Sequence, residues 1–158
     1  MGRVVPLGEL VNIREKLRRE KKKVVFTNGC FDLIHRGHVE YLNKAKALGD
    51  VLFVGVNTDP SVRVNKGPHR PIVGENDRAF IVSNISPVDY VCLFEEKTPF
   101  NLIQALVPDI LVKGADWKPS EIVGKDVVEK AGGTVATIDY VPDRSTTEII
   151  HTIVDHFK

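Results

Sequence analysis

Two hydrophobic rhythms run along the chain. Short stretches are apolar at nearly every position: Val24-Val25-Phe26, Val51 to Val56, Val91 to Phe94, and Ile110-Leu111-Val112. Such runs mark strands covered on both faces. Between them, apolar residues recur at helical spacing, as Leu10, Ile13 and Leu17 do, which is the pattern of a helix with one buried face. The predicted order is helix 7–20, strand 24–27, helix 39–48, strand 51–56, helix 75–85, strand 89–94, helix 98–106, strand 109–113, helix 122–131, strand 134–140 and helix 149–157. Gly49 and Gly132-Gly133 suit helix stops. Thr98-Pro99 suits a helix entry, a cap followed by proline at the first turn. Residues 57–74 read as a long connection carrying Arg63, Lys66, His69 and Arg70, and connections of that length tend to be functional.

Strands that alternate with helices argue for a parallel sheet with right-handed crossovers. The expected class is therefore α/β, a Rossmann-like, doubly wound, five-stranded parallel sheet with helices on both faces. Residues 1–22 form an N-terminal helical extension packed on a single domain, 23–158. A chain of 158 residues suits one compact domain. Its 22 Lys and Arg against 21 Asp and Glu leave a formal charge of +1, so bulk electrostatics makes no case for a nucleic-acid or membrane partner. The run Lys21-Lys22-Lys23 reads as a solvated helix end. No apolar stretch approaches a membrane span, and the start lacks the apolar core of a secretion signal. Cys30 and Cys92 lie in or beside apolar strand patterns and read as small core residues in a reducing compartment. A cytoplasmic enzyme is expected.

The first strand runs into Thr27-Asn28-Gly29-Cys30-Phe31-Asp32-Leu33-Ile34-His35-Arg36-Gly37-His38. In an open parallel sheet, ligands bind in the crevice beyond the carboxyl ends of the strands. Gly29 and Gly37 allow close backbone approach, and the free amides at the mouth of the next helix make an anion site. His35 and His38, three apart at that mouth, add two donors. They do not read as a zinc pair, because no cysteine pair, third clustered histidine or Glu-x-x-His completes the ligand set. The dinucleotide fingerprint G-x-G-x-x-G is absent from this turn.

Three further strand ends carry polar or flexible residues that the topology turns toward the same crevice. One brings Thr58-Asp59 and the basic connection, in which Lys66, followed by Gly67-Pro68, is the favoured phosphate ligand. Another brings Lys113-Gly114-Ala115-Asp116-Trp117. The last brings Asp143-Arg144-Ser145-Thr146-Thr147, where Ser145 and Glu148 also fit a capping box.

Gly29 to His38 resembles the G-x-F-D-x-x-H-x-G-H signature of the cytidylyltransferase-like nucleotidyltransferases. Lys113 to Trp117 and Ser145-Thr146-Thr147 resemble that family's K-G-x-D-[WY] and S-T-T motifs. Arg70-Pro71, Asn76-Asp77-Arg78, Thr98-Pro99 and Ile122-Val123-Gly124 are similar to the adenylyltransferase halves of bifunctional heptose kinase/adenylyltransferases. Asp143-Arg144 departs from the glycine plus neutral residue common before S-T-T. The resemblance implies that AMP passes from ATP to a sugar 1-phosphate, with a separate sugar kinase upstream and a homodimer as the assembly. Transfer of CMP from CTP to glycerol 3-phosphate, with release of pyrophosphate, or nucleotide binding without catalysis, would use the same motifs.

On this reading His35, His38 and Lys66 act on the reacting phosphates. Thr27, Asn28, Gly29, Cys30, Phe31, Gly37, Lys113, Gly114, Asp116, Trp117, Ser145, Thr146 and Thr147 hold the nucleotide. Asp32, Arg70 and Arg78 meet the sugar phosphate. Magnesium is held mainly through the phosphates, with no side-chain cluster of its own.

Overall fold

The computed structural model describes residues 1–158. In chain order it contains β1 (Arg3–Val4), α1 (Leu7–Arg19), β2 (Val24–Gly29), α2 (Arg36–Lys46), β3 (Val51–Asn57), α3 (Asp59–Lys66), α4 (Glu75–Ser83), β4 (Tyr90–Phe94), α5 (Phe100–Leu106), β5 (Ile110–Gly114), a short 3-10 turn (Pro119–Glu121), α6 (Lys125–Lys130), β6 (Thr134–Ile138) and α7 (Thr146–His156). All six strands are parallel and lie in the order β1-β4-β3-β2-β5-β6. This is the expected doubly wound α/β fold with one strand more than expected. The additional strand is Arg3–Val4, which adds to the outer edge of β4 and is too short to show any periodicity.

Strand β2 is the hinge of the topology. It pairs with β3 on one side and β5 on the other, so the chain reverses its winding there. A crevice opens beyond the carboxyl end of a strand at such a reversal. The strand alternates between two cores: Val24 and Phe26 pack with Phe53, Leu102, Ile103, Leu106 and Leu111, whereas Val25 packs with Leu42, Leu52, Val54, Val82 and Val112. Cover on both faces explains why these strands are apolar throughout.

Several element bounds differ from the sequence reading. The connection 57–74 contains α3, which starts at Asp59-Pro60 and stops at Gly67, where φ is 97°. Its start and stop signals are standard, but only Ser61 and Val62 face the core, so it has no apolar stripe to read. Helix α2 begins at Arg36, not 39, and α7 at Thr146, not 149. In both cases the first turn is polar because it faces the cleft. Helix α5 begins at Phe100, and Thr98 makes no cap hydrogen bond. The helix expected over 122–131 is shortened to α6, whose N-cap is Gly124 (φ 85°), and the 3-10 turn lies before the expected range. Strand β6 ends at Ile138 rather than 140, which releases Tyr140 toward the cleft.

The amino-terminal edges of the strands are tied by carboxylates. Asp50 accepts from the Lys23 amide (2.7 Å), Asp89 from Leu52 (2.7 Å) and Asp109 from Val24 (2.8 Å). Arg14 of α1 completes the last of these corners. Its side chain is 3% exposed and lies 3.1 Å from Asp109. It also donates to the Leu106 and Val107 carbonyls at 3.1 and 2.8 Å, two of the unpaired carbonyls that end α5. Replacing Arg14 with Ala leaves those acceptors buried without donors. It is expected to lower the unfolding free energy by about 3 kcal/mol in urea denaturation.

Candidate active site

All but two of the residues predicted to meet ligand line one cleft of about 800 Å³ beyond the carboxyl ends of the strands. Its floor is the turn from β2 into α2. Phe31 adopts a positive φ of 48° there and lies 5.4 Å from the His38 ring, centroid to centroid.

His35 is the N-cap of α2 and His38 the third residue of its first turn. The Gly37 amide donates to His35 Nδ1 at 3.1 Å, and the His35 amide donates to His38 Nδ1 at 3.3 Å. Each imidazole thus accepts at Nδ1 from an amide the helix cannot itself satisfy. A neutral ring that accepts at one nitrogen carries its proton on the other, which makes Nε2–H the donor of both. The rings lie 3.9 Å apart at an interplanar angle of 32°. A side chain at Gly37 would place its Cβ 2.9 Å from His35 Cε1, so the pair closes only over glycine.

Burial holds both rings neutral. It pushes His38 down to about 4, with the neighbouring His35 acting in the same sense. Burial also lowers His35, with Glu148 opposing and Arg144 assisting. The Cys30 thiol is raised by burial, against the pull of Lys66, Arg78 and Arg70, so it is not poised as a thiolate. Lys113 is lowered to about 8 by burial, partly offset by Asp116. Lys113 donates to the Asn28 side-chain carbonyl and sits 5.8 Å above the Trp117 ring centroid.

Ser145 accepts from the Glu148 amide at 3.1 Å, and the Thr146 hydroxyl donates to the Leu33 carbonyl at 3.0 Å. The second bond ties the start of α7 to the histidine turn, so two helix N-termini open into one cleft.

Two predicted contacts lie elsewhere. Thr27 is fully buried; its hydroxyl donates to the Val112 carbonyl (3.0 Å) and accepts from Tyr41 Oη (2.8 Å). It joins β2, β5 and α2 and does not reach the cleft. Arg78 is likewise fully buried, and all three of its guanidinium nitrogens are engaged: with the Val73 carbonyl (2.8 Å), the Cys30 carbonyl (2.5 Å) and Asp59 (2.8 Å). It anchors the histidine turn from beneath instead of meeting a phosphate.

Asp32 reaches the cleft wall, but its carboxylate is occupied. It accepts from the Ile72 and Val73 amides, both at 2.9 Å, and from Arg70 at 2.6 Å. Burial alone would raise its pKa; these hydrogen bonds outweigh burial and lower it. Asp32 therefore holds residues 70–73 against the motif, and Arg70 faces the cleft already paired.

Tyr41, Asn57, Asn65, Lys97, Thr98, Tyr140 and Arg144 also line the cleft. Tyr41 stands one turn beyond His38, a spacing the sequence displays. Tyr140 stacks on Tyr41 at 6.2 Å and packs over Gly114, where a Cβ would collide with its hydroxyl. Lys97 and Thr98 follow β4, the strand end absent from the sequence-based set. No group of three or more His, Cys, Asp or Glu side chains is arranged to hold a metal ion, and no helix is long and apolar enough to cross a membrane.

Residues 26–152 match the family model described as cytidylyltransferase-like. The chain is 54% identical over 149 residues to the bifunctional protein HldE of Syntrophotalea carbinolica, covering 94% of this chain and 30% of that protein. It is 51% identical over 153 residues to its Geobacter metallireducens counterpart, covering 97% and 31%. The chain thus spans about a third of the length of these relatives. A crystal structure of the lipopolysaccharide core biosynthesis protein from Thermoplasma volcanium superposes with a TM-score of 0.62 at 34% identity, over 76% of this chain and 97% of that one.

Two measurements check this assignment of roles. Between pH 6.5 and 4 the unfolded chain takes up a proton that folded His38 refuses. Stability from this group is complete above pH 6.5 and declines as pH falls toward 4. His38→Asn, which keeps an acceptor for the His35 amide, is expected to flatten that acid slope in urea denaturation. Arg78→Ala is expected to lower the unfolding free energy by about 3 kcal/mol, the cost of emptying a fully buried site and leaving three part-buried acceptors without their donor. A purely ligand-binding arginine would leave stability unchanged.

Proposed function

The chain belongs to the cytidylyltransferase-like family, and from that premise we propose that it transfers AMP from ATP to heptose 1-phosphate, giving ADP-heptose and pyrophosphate by direct displacement. The observation that carries this reading is the locked pair of neutral imidazoles, each offering Nε2–H at the mouth of α2. The motifs shared with the adenylyltransferase halves of bifunctional heptose enzymes supply the nucleotide and the sugar. Similarity to a lipopolysaccharide core biosynthesis protein supports a glycan precursor as product.

The acceptor needs no activation, because a sugar phosphate has a second pKa of about 6 and presents an ionised oxygen at neutral pH. This agrees with a cleft whose thiol is held protonated and whose buried carboxylate is occupied. The protein's task is alignment and stabilisation of charge at the α-phosphorus. His35 and His38 donate to phosphate oxygens as negative charge builds on them. Lys66 neutralises phosphate from the end of α3, and Lys113, Asp116 and Trp117 surround the nucleoside. Ser145, Thr146 and Thr147 receive the triphosphate tail at the start of α7, where helix amides favour anions.

A magnesium ion, held through the triphosphate and not by a side-chain cluster, would supply charge neutralisation for the pyrophosphate. Asp32 is not free to ligate it, which suits a metal held by phosphates. A separate kinase that supplies the sugar phosphate, a homodimeric assembly and a cytoplasmic setting complete the reading.

The test is pyrophosphate release from ATP and heptose 1-phosphate by the wild-type protein and by His38→Ala. Loss of such a donor is expected to lower kcat by about a hundredfold. A variant that keeps its rate within a factor of about three would remove the histidines from the transition state.

A further inference from the structure

Strands β2 and β5 part where the cleft begins. Their register covers only Val25 with Ile110 and Phe26 with Leu111, whereas β2 stays paired with β3 as far as Gly29 and Val56. Beyond Phe26 the two strands fork into the crevice, and side chains take over the tie that backbone pairing gives up. The Thr27 hydroxyl donates to the Val112 carbonyl at 3.0 Å across this fork. A hydroxyl has one proton to give and a carbonyl can only accept. In the second contact of Thr27, at 2.8 Å, Tyr41 Oη is therefore the donor. Thr27 and Val112 are fully buried, and burial pushes the Tyr41 phenol up, so it keeps that proton.

We infer that the Tyr41–Thr27 pair is a positioning element for the transfer, setting how far the first turn of α2 stands from β5. The inference rests on the transfer reading above and adds two residues that act through His38 and not on a reacting atom.

Tyr41 stands three residues after His38 on α2, on the same face of the helix. Fixing its phenol to the β2–β5 fork therefore fixes the rotation of α2 about its axis, and with it the imidazole one turn earlier. A second contact refers the same ring to β5. Tyr140 stacks on Tyr41 at 6.2 Å and packs over Gly114, the last residue of that strand. Lys113, Asp116 and Trp117, which surround the nucleoside, lie on β5 or just after it.

The α-phosphorus is thus held from the β5 side while its donors come from α2. In-line transfer tolerates little error between the two, since a misplacement of about 1 Å can cost about a hundredfold in rate. The Tyr41 hydroxyl is spent on Thr27, so its removal shows in alignment and not in ligand affinity.

Steady-state pyrophosphate release with ATP and heptose 1-phosphate tests this through two variants. Tyr41→Phe keeps the ring and its stack, and Thr27→Val keeps the shape of the side chain. Each is expected to lower kcat by about tenfold with both KM values within about twofold, the signature of a loss confined to the transition state. Tyr41→Phe leaves the Val112 carbonyl with its donor and carries the test if Thr27→Val does not fold. The double variant is expected to fall no further than the more impaired single one, because the two hydroxyls act as a unit. Thr27→Ser, which restores the donor, is expected to recover most of the loss. A Tyr41→Phe kcat within about twofold of wild type, additive falls in the double variant, or a raised KM with unchanged kcat overturns the inference. Failure of the transfer reading shows itself separately, as wild-type protein that releases no pyrophosphate with any sugar phosphate. In that event, nitrogen-15 spectra of the free protein decide. Tyr41→Phe is expected to shift the His38 ring resonances and Thr27→Ser to leave them near their wild-type positions. His38 resonances unchanged in Tyr41→Phe overturn the positioning role.

Discussion

The first turn of α2 closes on its own histidines, and the rest of the site depends on that closure. A helix start leaves amides without partners. Here the Gly37 and His35 amides find them in the Nδ1 atoms of His35 and His38. One pair of hydrogen bonds therefore caps a helix, fixes two rings against each other and sets both tautomers. Burial adds the remaining condition by keeping the rings uncharged in the free protein. Donors arranged in this way need no reorganisation when charge develops on a phosphate, which is where preorganised sites gain most of their effect.

A second layer keeps the turn in place. Arg78 reaches up to the Cys30 carbonyl and down to Asp59, and Asp32 draws in the segment 70–73. These charged groups look catalytic on paper yet are consumed by architecture. The cations left for ligand are Lys66, Lys97, Lys113 and Arg144. Carboxylates gather at the opposite edge of the sheet, where Asp50, Asp89 and Asp109 tie down strand starts. A formal charge of +1 thus conceals a polar molecule, with anion-binding capacity at one end of the sheet.

The alternation of elements, the doubly wound sheet and the histidine turn were legible in the sequence because each is written locally. Ten consecutive residues carry the turn, and a buried strand announces itself within five or six. Burial of a charged side chain is not local, however. Lys66 and Arg78 both stand near phosphate-friendly motifs, and only the packing of α4 beneath the turn sends one to the cleft and the other to the interior. The same limit applies to Thr27, whose hydroxyl meets Val112 from a strand far along the chain. Helix α3 escaped notice for want of an apolar stripe, and β1 because two residues have no period. Lys97 was missed because its strand end carries no glycine or histidine to mark it.

The most direct test of the central claim is a nitrogen-15 NMR titration of the two histidine rings in the free protein. At pH 7 both are expected to be neutral with the proton on Nε2, and His38 is expected to remain neutral until pH approaches about 4. A proton on Nδ1 of either ring, or a His38 titration near 6.5, the ordinary histidine value, would contradict that claim.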